Sequence, residues 1–392
     1  MLRRFRNHFE DPKRPYLGPN VKLLKYGGLL YSRNSLVKYS YLLMHYIVFA
    51  VFGTELLNIY LERSDTKVVL QNIQYSMASV VICMKVFTYF KYQNDWVAII
   101  EYINKRDKER RNMRNGEMDV IIQEYTKYNR WVTFSYIYLL VVMTTSVCLQ
   151  PMLLFTSSTF RYNLRNGTAN LPEIASIWMP VDKTTATGYT LYIFTEVVAT
   201  IVCVLWFAMV DTNAVATMIF IDAELRMLRI DARDIFGTEK NPTTSVESKQ
   251  RVRKCHENHM ELSKICSLFN SFLSPILMLY TFVCSVMLCV TAYQIQVVIK
   301  PLQRFYQCVA LDFNLNKRDF LHFQSIYLMM GPYESMWWAQ PTTVRKEVLL
   351  LVHQFRKPLA IHAGPIADLT VVTFINILKG AYSYYTLLRE MK

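Results

Sequence analysis

The side chains with chemistry to offer are ionisable groups set inside long apolar stretches. Glu55 stands within 39–61, Lys85 within 68–90, Glu196 and Asp211 within 189–221, and Lys379 within 366–388. A charged group in an apolar span faces a protein interior or a water path. Lys85 and Asp211 lie near the ends of their stretches, where polar heads snorkel to the interface, and are expected to serve structure. Glu196 lies deeper and is a candidate wall of a polar cavity. His45 reads as an interior histidine satisfied by a neighbour. His256 and His259, three apart on an expected helix, have ligand spacing, but two ligands without a third make a weak metal site. A solvated helix face is expected there, and no metal. The chain has no Walker A, GxGxxG, HExxH or GxSxG motif, and nothing else assembles a nucleophile with a base. No enzyme and no cofactor are expected.

The elements that carry these groups are membrane helices. Hydrophobic residues make up 52% of the 392 and charged residues 19%, against about 25% charged in an average globular chain. A soluble protein of this size needs more charge to cover its surface, and a disordered one needs less hydrophobicity. Eight cysteines in so long a chain exclude a secreted disulfide scaffold. The stretches 39–61, 68–90, 131–155, 189–221, 266–298 and 366–388 each reach the ~20 apolar residues that a bilayer crossing needs. Two of them, 189–221 and 266–298, exceed one bilayer thickness and are expected to continue as helices beyond it. Aromatic residues such as Tyr39, Phe90, Trp131 and Tyr189 gather near the ends, as interfacial belts do. The basic N-terminus is not followed by an apolar run of signal-peptide length, so no cleaved signal is expected.

Lys and Arg fix the expected orientation. The first 38 residues hold nine, 91–130 nine and 222–265 nine, whereas 62–67 holds two and 156–188 three. The N-terminus is therefore expected in the cytoplasm and 156–188 outside. The sequon Asn166-Gly167-Thr168 falls in that outside loop and is a glycosylation candidate. The net charge of +14 then faces acidic lipid on the inner leaflet. No soluble domain gathers it for nucleic acid.

The C-terminal region carries a distinctive pattern. Tyr333-Glu-Ser335-Met-Trp337 is followed by Phe355-Arg-Lys-Pro358, Ala363-Gly364 and the run from Phe374 to Leu388, FINILKGAYSYYTLL. This resembles the terminal signature of insect odorant receptors, and Cys255-x-x-x-His259 before the fifth span is similar to that family too. The resemblance implies an all-α, multi-pass, seven-helix subunit with its N-terminus inside. It implies a ligand-gated, non-selective cation channel in which four subunits surround one pore. Tuning subunits assemble with an odorant co-receptor, a volatile ligand binds in the outer half of the membrane, and the last helix lines the pore. This chain resembles a tuning subunit, because it lacks the co-receptor's extended cytoplasmic insertion.

On this reading 1–38 is a cytoplasmic segment and 39–298 a five-helix membrane region holding the ligand pocket. The remainder divides into an atypical stretch, 299–365, and a pore-lining helix, 366–392. An odorant pocket needs apolar walls with a few hydrogen-bonding groups. Candidates in the outer half-helices are Tyr75, Ser76, Ser79, Ser146, Gln150, Tyr192, Thr195 and Glu196. Tyr382 and Ser383 put hydroxyls in the last helix, which suits a partly wet wall. Aligned with the co-receptor's end, Leu387 falls where that family member has its apolar gate, with Met391 on the same face.

One stretch departs from the family pattern. Residues 300–319, KPLQRFYQCVALDFNLNKRD, are polar where the family has an apolar sixth helix. Two readings follow, a short crossing or a replaced segment, and the second leaves open a non-functional variant. A rhodopsin-type receptor would need an outside N-terminus and the Asp-Arg-Tyr and Asn-Pro-x-x-Tyr motifs, which are absent. A gustatory-receptor-like channel subunit is nearer in fold, but its usual terminal T-Y-x-x-x-x-x-Q-F is missing.

Overall fold

Apolar runs become helices because lipid offers no partner to an unpaired backbone N–H or C=O. The computed structural model describes residues 8–30, 35–64, 66–113, 115–167, 171–238, 241–297 and 327–357, with short pieces at 359, 362–363, 367–368, 379–380 and 383. Its helices are α1 (Gly18–Tyr26), α2 (Ser35–Leu61), α3 (Thr66–Lys91), α4 (Gln93–Asn112), α5 (Gly116–Thr156) and α6 (Ser158–Arg165). Then follow α7 (Ala186–Arg233), α8 (Ser245–Val297), α9 (Met330–Glu334) and α10 (Thr342–Phe355). Two short 3₁₀ helices, Asp234–Phe236 and Trp337–Ala339, and two antiparallel pairs of two-residue strands accompany them. One pair joins Gly237–Thr238 to Asn241–Pro242 between α7 and α8, the other His362–Ala363 to Ala367–Asp368.

Four of these helices are long and apolar enough to cross a membrane: α2, α5, α7 and α8. The last three outrun their apolar cores at the inner, basic end, as the lengths of 189–221 and 266–298 suggest for two of them. The expected span at 68–90 is helical throughout, as α3, yet it is not among the four. Gln71, Asn72, Gln74, Ser76, Ser79 and Lys85 lower its hydropathy. α3 packs against α2, α7 and α8, so part of its surface meets protein and need not be lipophilic. The sixth-helix question falls on 300–326, outside the described residues, as does nearly all of 366–388.

Membrane-facing surfaces explain the exposed Leu43, Tyr46, Leu153 and Phe194. The tightest packing lies at the inner end, where α4, α5, α7 and α8 meet. There Ala214 to Leu225 of α7 are buried without a break. The N-terminal segment is built into this region rather than trailing from it. Tyr16 donates to the carbonyl of Ala216 at 2.6 Å. Asn20 donates to Thr133 Oγ1 at 3.2 Å and to the carbonyl of Thr212 at 3.1 Å. Arg130 grips both carboxylate oxygens of Glu10 at 2.7 Å, the planar two-pronged geometry that makes Arg pairs strong.

An ion network ties α4 to α7. Arg106 Nε meets Glu224 Oε1 at 2.7 Å, and the fully buried Arg110 reaches Glu224 at 2.8 Å and Asp231 at 2.7 Å. Burial works against the Arg110 charge, but Glu224 and Asp231 more than offset it and raise its pKa. Asp107 accepts from Tyr125 and from Arg111.

His259 corrects an expectation. It is 2% exposed, not solvated, and lies edge-on to Phe355 of α10 with ring centroids 4.8 Å apart. Burial, and secondarily His256, lower its pKa to about 4, so it is uncharged at neutral pH. The helix turns one histidine inward onto α10 and the other to solvent. Among the described residues no three His, Cys, Asp or Glu side chains gather into a metal-binding group.

Candidate functional site

Lys85 and Asp211 do not snorkel. They meet across α3 and α7 at 2.7 Å with both side chains buried. Tyr136 of α5 donates to the second Asp211 oxygen at 2.8 Å. The Lys85 ammonium also lies 4.5 Å from the Tyr280 ring centroid of α8, a cation–π distance. A lone charge at this depth would be costly, whereas the pair satisfies both groups and joins four helices. The adjoining cavity, lined by Tyr89, Trp96, Met218 and Tyr280 among others, holds about 30 Å³. That is room for a water or two, and too little for an odorant. A larger cleft of about 450 Å³ lies at the inner end. Glu117, Arg226, Arg229, Arg233 and Glu334 line it beside Ile121 and Ile230, a wall too charged for an apolar volatile molecule.

The outer half of the bundle buries polar side chains among apolar ones. Two of the expected site residues, Tyr192 and Glu196, are a turn apart on α7 and fully or nearly fully buried. Their polar atoms hold the outer loop. Glu196 accepts the backbone N–H groups of Ile174 and Ala175 at 2.9 and 3.2 Å. The Tyr192 hydroxyl accepts from the Ile177 N–H and donates to Glu173, each at 3.0 Å. Lys183 closes the arrangement, 2.6 Å from Glu173 and 3.9 Å above the Tyr192 ring. The same loop reaches α2 through the Trp178 N–H and the carbonyl of Thr54, 3.3 Å apart. Its return into α7 requires Gly188, where a Cβ would come within 2.1 Å of the Asp182 carbonyl oxygen. Residues 171–185 thus form a cap over the outer ends of α2 and α7.

Under this cap, α2 and α3 contribute a polar wall. Ser76 and Ser79 are buried and Tyr75 is half-buried. Ser79 donates to the Tyr75 carbonyl at 3.1 Å and lies beside the Glu55 carboxyl. Asn58 and Asn72 are buried as well. His45 and Trp206 pack deeper, with Trp206 Nε1 donating to His45 Nδ1 at 3.1 Å, which is the interior role expected of that histidine.

The other expected residues stand apart from this wall. Ser146 is exposed and donates to the carbonyl of Met143 in its own helix at 2.8 Å. Thr195 is half-buried and returns its hydroxyl to Leu191 at 2.9 Å. Gln150 is half-buried. Ser383 is exposed and donates to the Lys379 carbonyl at 3.0 Å; Tyr382, Leu387 and Met391 lie outside the described residues. Asn166 terminates α6 on the outer side. Asn58 and Asn72 were missed because a single amide in an apolar run reads as ordinary helix packing. Their signal was spacing: Asn58 lies three residues after Glu55, and Asn72 four before Ser76, which puts each pair on one helix face.

Comparison with known proteins agrees with this architecture. The chain is 23% identical over 402 residues to odorant receptor 30a of Drosophila melanogaster, covering 97% of this chain and 98% of the other. It is 22% identical over 304 residues to odorant receptor 10 of Aedes albopictus, covering 74% and 76%. Among solved structures it superposes on the insect olfactory receptor OR5 of Machilis hrabei, determined in complex with eugenol. The TM-score is 0.79 and the identity 14%, over 96% of this chain and 98% of that one. The same receptor without eugenol gives a TM-score of 0.76 at 15% identity, over 96% and 98%. At these identities the superposition speaks for the seven-helix fold alone. Residues 65–310 match the family model described as 7tm Odorant receptor, and with well over half of its length matched this membrane protein belongs to the odorant receptor family.

Proposed function

We propose that this chain is an odorant-binding tuning subunit of a ligand-gated, non-selective cation channel. It assembles with the odorant co-receptor into a hetero-tetramer in the plasma membrane of a sensory-neuron dendrite. The observation that carries the reading is the outer half of the bundle. Polar side chains of α2, α3 and α7 are buried there among apolar ones, beneath a cap that α7 ties down. A volatile ligand partitions into such a site from lipid or air, and a few fixed hydrogen bonds select it. Tyr75, Ser76, Ser79, Tyr192 and Glu196 belong to this region in the proposal, with Ser146, Gln150 and Thr195 more peripheral. Tyr382, Ser383, Leu387 and Met391 line the conduction path.

Co-expression with a co-receptor in a heterologous cell, with current recorded against an odorant panel, tests the reading. Odorant-evoked cation current is expected. The Leu387→Cys channel should be blocked by a water-soluble thiol reagent, and faster while odorant is present. A surface-labelled receptor that passes no current with any odorant would overturn the channel reading. Unmodified Leu387→Cys channels that still conduct would remove Leu387 from the pore. Orientation has its own check. Glycosidase should shift the wild-type band on a gel and leave Asn166→Gln unshifted, whereas an N-terminal tag cleaved by protease on intact cells would reverse the topology.

A further inference from the structure

Three buried acids fall within the apolar stretches 39–61 and 189–221: Glu55, Glu196 and Asp211. Asp211 is matched by Lys85 and Tyr136, and Glu196 by two backbone amides. Glu55 is different. Its carboxyl has Ser79 beside it, but Oε2 has no hydrogen-bond partner. The same helix face continues one turn outward to Asn58. On α3, the face that carries Ser79 continues two turns outward to Asn72. Both asparagines are at least nine-tenths buried, and in both Nδ2 is without a partner. With Glu55 beside Ser79, Asn58 lies one turn and Asn72 two turns further out, about 5 and 10 Å. Thr54, next to Glu55, receives the hydrogen bond from the cap at Trp178. The thiols of Cys83 and Cys203 lie close enough to feel the Glu55 charge, so the groups near it are weakly polar.

Buried polar groups in native proteins are nearly all satisfied, and each exception calls for an unseen partner. Here the unmet groups are one acceptor and two donors. A hydrocarbon meets neither kind. An ether or ester offers only acceptors, and an ammonium offers only donors. A hydroxyl is donor and acceptor at once. We propose that the α2–α3 wall at Glu55, Asn58 and Asn72 is the recognition point for a small alcohol. Its O–H donates to Glu55 Oε2, its oxygen accepts from an asparagine Nδ2, and its hydrocarbon tail lies among the apolar side chains. The proposal rests on the odorant-binding reading above and names the ligand class of that site. A site built to hydrogen-bond a hydroxyl rejects analogues without one far more strongly than a hydrophobic pocket rejects a missing methylene.

The test compares 1-octanol with its methyl ether, with octylamine and with octane on channels formed with the co-receptor. The wild type is expected to respond to the alcohol at concentrations about 100-fold lower than to the ether, the size expected when one buried hydrogen-bonding group is left unmet. Glu55→Leu should bring the two within about threefold, whereas Asn58→Leu should weaken the responses to both, because the oxygens of alcohol and ether alike accept from Nδ2. A wild-type channel that responds equally to alcohol and ether, or prefers the amine, overturns the proposal. So does a Glu55→Leu channel that keeps the preference. If Glu55→Leu fails to reach the surface, Glu55→Met, which keeps the length of the side chain and removes the acceptor, takes its place in the comparison. If no compound opens any channel, the melting temperature of the purified full-length receptor decides separately. The alcohol should raise it where the ether does not, and the rise should vanish in the Glu55 variant. No rise with the alcohol overturns the alcohol site, whatever the fate of the channel reading.

Discussion

Lys85→Met is expected to abolish most folded receptor. The substitution leaves Asp211 buried at the junction of four helices with only the Tyr136 hydroxyl to meet it. Removing one partner of a buried pair costs about 3–5 kcal/mol, because the other charge stays behind uncompensated. That is a large part of the 5–15 kcal/mol that typically separates folded from unfolded protein. Asp211→Leu should be similarly damaging, since it strands the Lys85 ammonium. The double variant Lys85→Met/Asp211→Leu should recover most of the loss, because an apolar pair of like volume replaces a buried ion pair at little cost. A shortfall of about 1 kcal/mol should remain from the Tyr136 hydroxyl, which loses its acceptor. Yields of monodisperse receptor and melting temperatures for the four proteins give the coupling directly. Simple additivity of the single losses would show that the two groups act independently.

The second large effect is expected at the inner end. Glu224 accepts from both Arg106 and Arg110, and Glu224→Gln leaves two buried guanidiniums with only the half-buried Asp231 beside Arg110 and the part-exposed Glu109 beside Arg106. A loss of about 3–5 kcal/mol is again expected. Glu117→Gln supplies the contrast. Glu117 pairs with Arg233 at 2.7 Å, but both side chains are substantially exposed. The hydrogen bond from Arg233 lowers its pKa, yet solvent screens the pair, and its loss should cost no more than about 1 kcal/mol. The ratio of the two destabilisations, read from thermal melts in one detergent, is the check. Equal losses would mean that the buried network contributes no more than a surface pair.

How far the sequence reaches is clearest at these two places. Long apolar runs announce α5, α7 and α8, because a stretch of that length has one economical solution in lipid. Residues that depend on a distant neighbour are harder. Lys85 and Asp211 are separated by 126 positions, and each alone looks like a charge escaping to the nearest interface. Nothing local says that they meet. Tyr192 and Glu196 were legible as polar residues at the right depth. Their hold on the Glu173–Ile177 segment was not, because a loop's path over a bundle leaves no periodicity. Ser146 and Thr195 stand apart from the wall for the opposite reason. Ser and Thr in a helix return their hydroxyls to the preceding turn, a local solution that the sequence does not distinguish from a hydroxyl turned to a distant neighbour. α3 escaped the hydropathy test because helices packed on several sides are excused from being oily.

α7 runs for 48 residues, from the outer cap to the inner ion network. α5 carries Pro151 and α8 carries Pro275 within their lengths, whereas α7 has neither proline nor glycine after Gly188. It is therefore a stiff rod about 70 Å long, without the residues at which helices bend. Tyr192 and Glu196 hold one end of the rod to the cap, and Glu224 and Asp231 hold the other to α4. Mechanically this is a crankshaft. A tilt of about 5° about one bearing would swing the far end through about 6 Å, given the rise per residue of a helix. A few tenths of an ångström gained or lost beneath the cap would arrive at the opposite bearing as a shift of similar size, undamped by any joint along the way.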